Sequence, residues 1–152
     1  MNTSTESRAV FTVGSLTIDV KGTLFGKYLG LTRYTTTASS VHFNPLGGYD
    51  FFFRDNDGLS SERTLSISLR DLEVPSPPRY SESVVTERGI LIYDYAMESS
   101  STIEVTKLDP EQSLYRYAFN DFKLSGKAVR TNDTRELTCN GFFLLQELTW
   151  PL

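Results

Sequence analysis

The chain has 152 residues, 39% of them hydrophobic and 22% charged, which is the make-up of one folded domain with a core, not of a disordered segment. A net charge of −4 with no Lys/Arg cluster leaves no basic stripe, so nucleic-acid binding is not expected. The longest apolar run, GFFLL, is a strand's worth and far short of a membrane span.

Taken from the start, MNTSTESRAVF is polar and has neither the basic opening nor the apolar middle of a signal peptide. Residues 1–9 are expected to be a flexible tail and residues 10–152 a single domain. The expected compartment is the cytoplasm if Met1 is the natural start, and the cell envelope or exterior if a signal was removed. Cys139 is the single cysteine, so no intramolecular disulfide forms.

The recurring signal is period two. Leu16, Ile18 and Val20 alternate with polar residues after a turn signal at Gly14-Ser15. Val41 and Phe43 flank His42, and Leu65, Ile67 and Leu69 alternate with Ser66, Ser68 and Arg70. Each stretch reads as a strand with one wet face. Three of the six prolines fall in EVPSPPRYSESVV, residues 73–85. Proline donates nothing to a ladder, so this stretch reads as a long crossover between sheets.

GILIYDYAM, residues 89–97, is apolar on both sides at its start and reads as a central strand covered on both faces. Ile103 and Val105 share one side of the next strand. Asp109 and Pro110 mark a capped turn. Tyr115, Tyr117 and Phe119 share one side of the strand that follows. Leu137, Cys139, Gly141, Phe143 and Leu145 share one side of the last. No window keeps helical spacing. The fold predicted is an all-β antiparallel sandwich, jelly-roll-like, of about eight to ten short strands.

The stretch SSSTIEVTKLDPEQSLYRYAFNDFKLSGKAV, followed by LTCNGFFLL, resembles the C-terminal half of a family of small uncharacterised β-sandwich proteins of Bacteroidota, many of them predicted lipoproteins. VTKLD and YAFNDFKLSG carry the resemblance, while SLYRY departs from the small residues the pattern has there. The resemblance implies a sandwich fold and an envelope location, and no activity.

Three sets of residues suggest chemistry. The first is FFFRDNDG, residues 51–58. With Gly58 at the sixth position of an EF-hand loop, Asp55 and Asp57 fall at the third and fifth, but Phe53 takes the first and Thr64 the twelfth. Phe53 has no side-chain oxygen, so the stretch reads as a hairpin turn and no cofactor is expected. A calcium-stabilised adhesion module using Asp50, Asp55 and Asp57 is the alternative. The second set is the acids Asp94 and Asp121. Asp94 interrupts an apolar strand, and Asp121 lies where a bulge would re-aim it. Together they would supply the acid pair of a small glycoside-type hydrolase.

The third set is Tyr93, Tyr95, Tyr115 and Tyr117, two per strand at a spacing of two. On neighbouring strands they would form a ligand-binding face for a protein or glycan. The competing reading places these rings in the core. His42 is the single histidine, on the wet side of its strand, and Cys139 points into the core, so no nucleophile–base pair is indicated. The expected function is non-catalytic: a recognition or structural module that binds a protein or glycan through one sheet face or its end loops.

Overall fold

A computed structural model describes residues 6–36, 38–43, 48–56, 61–69 and 77–151. It is all-β. The described strands are β1 (Glu6–Leu24), β2 (Lys27–Thr36), β3 (Ala38–Phe43), β4 (Tyr49–Asn56), β5 (Ser61–Leu69), β6 (Arg79–Thr86), β7 (Gly89–Ser99), β8 (Glu104–Asp109), β9 (Leu114–Ala128) and β10 (Thr134–Pro151). No helix among the described residues is long and apolar enough to cross a membrane.

Every pairing is antiparallel, in the order β2-β1-β10-β9-β7-β6-β5-β4-β3, with β8 also on β9. Most sequential strands are neighbours, but β2 and β3 lie at opposite ends of the order and β7 pairs with β9 and not with β8; β1 and β10 pair along almost their whole length. The connectivity is therefore largely up-and-down and not the Greek-key order of the jelly roll expected, while the antiparallel, sandwich-like all-β class holds. Four strands are longer than expected: β1 has 19 residues, β7 11, β9 15 and β10 18.

Period-two burial builds the core as the sequence implies. Leu16, Ile18, Val20, Leu65, Ile67, Leu69, Leu137, Cys139, Phe143 and Leu145 all point inward and are buried. The sheet folds over so that β4 faces β9 and β10. Phe51 and Phe53 of β4 meet Tyr117, Phe119 and Phe143 at ring-centroid distances of 5.1–6.0 Å. Such tilted and edge-to-face contacts add to the apolar burial itself.

Burial has an electrostatic consequence. It pushes the Cys139 thiol from 9.0 up to about 12 and raises the phenols of Tyr34, Tyr80 and Tyr117. In the unfolded chain these groups ionise near their ordinary values, so above about pH 9 the unfolded state holds fewer protons than the folded one. Stability is thus expected to be fully present below that pH and to fall as pH rises beyond it. Urea midpoints at about pH 8 and about pH 10.5 check this, and equal midpoints would contradict it.

Four expectations change. Residues 6–9 are not a tail, because Glu6 to Ala9 pair with Pro151 to Leu148. Gly14 is not a turn but an interior position of β1 at φ 128°, where a Cβ would sit 2.5 Å from the Phe142 carbonyl oxygen. The Pro-rich crossover is shorter than residues 73–85. Arg79 onward forms β6, which pairs directly with β5, so the connection joins neighbours in one sheet. Finally, the start of β7 is not covered on both faces; Ile90 and Ile92 are each 65% exposed.

Candidate binding surface

Two hairpins project from the same end of the fold. The first joins β1 to β2 through Phe25 and Gly26, with Leu24 opposite Lys27. Both turn residues have positive φ, 52° for Phe25 and 79° for Gly26, so this is the two-residue turn that matches strand twist. Asparagine, aspartate or glycine normally holds the first of those positions. A phenylalanine there costs roughly 1–2 kcal/mol of backbone strain. Its ring is 75% exposed, so no burial offsets that cost. Leu29 and Leu31 on β2 are also exposed.

The second hairpin joins β6 to β7 through Glu87 and Arg88, with Thr86 opposite Gly89. Thr86 Oγ1 donates to the Gly89 carbonyl at 3.0 Å and accepts from the Arg88 N–H at 3.2 Å, which fixes the turn. This arm is apolar on both faces. Val84 and Leu91 look toward the first arm, while Val85, Ile90 and Ile92 look away from it. An apolar set on both faces marks a strand buried on both sides or an arm that something else covers.

Between the arms lies a cleft of about 270 Å³, with Leu24, Phe25 and Leu29 on one wall and Val84, Leu91 and Tyr93 on the other. Its floor is the ion pair of Arg135 and Glu82. The Arg135 side chain is only 4% exposed, and its Nε and Nη2 each donate to a Glu82 carboxylate oxygen at 2.9 Å. Nη1 donates to the carbonyls of Thr23 at 2.7 Å and Thr134 at 2.8 Å. The guanidinium also lies 4.9 Å from the centre of the Tyr95 ring. Burial works against its charge, but the Glu82 hydrogen bonds and charge more than offset this and raise its pKa. Gly22 makes room for this group, since a Cβ there would sit 1.9 Å from the Thr134 oxygen and 2.9 Å from Arg135 Nη1. The floor is thus saturated and rigid, and the walls are apolar and open.

The residues that the sequence singled out are dispersed. Tyr93 reaches the cleft, half-buried. Tyr95 and Tyr117 are buried in the core, and Tyr115 packs against it from the side. Although β7 and β9 are neighbours, Tyr95 pairs with Ala128, eleven residues along β9 from Tyr117. The four tyrosines therefore form no common face. Asp94 and Asp121 are both exposed. The Asp94 carbonyl accepts from the Val129 N–H at 2.9 Å, so Asp121 lies eight residues away along β9, roughly 25 Å. That far exceeds the separation an acid pair needs. The expected bulge is present: Asp121 has φ 46°, the β9–β10 register shifts there, and its N–H donates to Asn140 Oδ1 at 2.8 Å.

Asp55 is committed to Arg63, whose Nη1 lies 2.7 Å from Asp55 Oδ2. Asp50 is half-buried five residues back along β4, while Asp57 lies outside the described residues. Among the described residues no cluster of three ligating side chains forms. Cys139 is fully buried, and the side chain of His42 lies outside the described residues.

A second apolar surface, on the outward face of β1 and β10, holds Phe11, Val13 and Phe142, with Arg116 4.5 Å above the Phe142 ring. It is a sheet face with no cleft. Comparison with protein-family models, with curated proteins and with solved structures returns no match for this chain.

Proposed function

We propose that the chain is a non-catalytic recognition module that grips a protein partner between its two projecting hairpins. The observation that carries this reading is Phe25, an aromatic ring held at positive φ on an exposed tip and facing a second apolar arm. Strain of that kind persists where a site makes use of it. Rigid aromatic anchors with apolar surroundings over a polar, satisfied floor fit the centre of a protein interface. A glycan would need a platform of rings, which the four tyrosines do not assemble.

The test separates binding from folding. Phe25→Asn suits the turn better and is expected to stabilise the protein by about 1 kcal/mol while removing the anchor. Affinity capture from a lysate and envelope fraction of the source cell, with wild-type and Phe25→Asn baits, is expected to show partners held by the wild type alone. Running both baits with calcium and with chelator is expected to give the same set. Equal retention by the two baits would remove the cleft from the reading, and loss with chelator alone would revive the calcium reading of Asp50, Asp55 and Asp57.

A further inference from the structure

We infer that the free edge of β7 accepts an added strand: an extended, apolar segment of a partner protein that carries a carboxylate. This rests on the recognition reading and names how the partner is held. The first observation is backbone geometry. The Met97 N–H donates to the Pro78 carbonyl, so odd residues of β7 turn toward β6. The Asp94 carbonyl accepts from Val129, so even residues turn toward β9. The β7–β9 ladder covers Tyr95 to Ser99, and β9 ends at Ala128. Beyond that point the N–H and C=O groups of Ile90 and Ile92 face outward with no ladder partner among the described residues.

The second observation is the notch beside this edge. It has a volume of about 690 Å³ and lies where β9 would run if it continued, between residues 90–94 and the turn at residues 128–131. Native edges are usually blunted by lysine, proline or a bulge. Here the edge is Ile90, Leu91 and Ile92 in regular pairing with β6. Strand addition satisfies such an edge through backbone hydrogen bonds and takes specificity from alternate side chains.

The third observation is charge. Arg79 and Arg130 line the notch, both exposed, and neither has an ion pair among the described residues. Asp94 is the one acid on the lining. The local excess of guanidinium favours an acidic segment. It also disfavours a second copy of this chain, which would bring its own two arginines to the same contact.

The experiment uses the full chain and a displayed library of random peptides about ten residues long. Enriched peptides are expected to alternate apolar with polar residues and to contain Glu or Asp. In the complex, hydrogen exchange at the Ile90 and Ile92 amides should slow by about tenfold or more. N-methylation of alternate peptide amides should abolish binding in one phase and spare it in the other. Ile92→Lys should abolish binding without unfolding the protein, since the side chain is largely exposed. Arg79→Glu combined with Arg130→Glu should weaken acidic peptides by about tenfold or more.

No enrichment, or enrichment with no change at the Ile90 and Ile92 amides, overturns the inference. So does protection of those amides in the protein alone at high concentration, which would make the occupant a second copy. The Phe25→Asn protein separates this inference from the cleft reading. Peptides lost with Phe25→Asn but kept with Ile92→Lys leave the cleft in place and remove strand addition.

Discussion

Replacing Phe143 by alanine is expected to lower the unfolding free energy by about 3–5 kcal/mol, a large part of what a domain of this size has. The reason lies in where the ring sits. Phe143 belongs to β10, and its ring meets Phe51 at 5.1 Å and Phe53 at 5.8 Å across the core, both from β4. On its own side it stacks on Tyr117 at 5.6 Å and meets Phe119 at 5.8 Å. It therefore touches both phenylalanines of β4, alongside the Phe51–Tyr117 and Phe53–Phe119 contacts that also join the two halves of the folded-over sheet. Alanine leaves a cavity that these four large side chains cannot close, because their own strands fix them. Phe143→Leu, which fills much of the space, should cost about 1–3 kcal/mol less than the alanine variant. Urea unfolding at neutral pH measures both. A loss below about 1 kcal/mol for alanine would mean that the halves do not pack there.

Much of this fold was legible because one-sided burial writes itself as alternation. Leu16, Ile18 and Val20, Leu65, Ile67 and Leu69, and Leu137 to Leu145 all show it, and all point inward. Two strands escaped for physical reasons. β2 buries only Tyr34 and Thr36 at its far end, so KYLGLTRYTT carries little alternation. β6 follows directly on Pro77 and Pro78, whose breaking signal spreads over residues that pair normally.

The site was harder to read than the fold. GILIY is equally apolar whether neighbours cover it or not, and only the length of β9 decides that its first residues stand free. The tight turn at Phe25-Gly26 was hidden because phenylalanine is not a turn residue. The one signal there was Gly26 between two stretches of strand-like composition. The tyrosines misled in the opposite way, since the spacing that would build a face also builds a core.

Replacing Arg135 by methionine is the second large effect expected, about 3–5 kcal/mol of stability, and it reaches the site as well. Methionine has a similar reach but leaves the half-buried Glu82 carboxylate without its cation, and Tyr80, whose hydroxyl donates to Glu82 Oε1 at 2.8 Å, remains its neighbour. The cost is that of a charge left uncompensated away from water, not the net worth of the pair. Adding Glu82→Leu to Arg135→Met should therefore recover most of the loss, since two apolar side chains replace two charges in a closed space. Binding should not recover with it. In the wild type the guanidinium holds the Thr23 carbonyl at the root of the first arm and the Glu82 carboxylate at the root of the second, so one side chain sets the gap between them. The double variant is expected to unfold near the wild-type urea midpoint yet retain less partner than wild type in the same capture assay. Faster hydrogen exchange at Leu24 and Val84 should accompany that loss. Full recovery of both stability and capture would show that the ion pair only fills space, and that the arms are positioned by their strands alone.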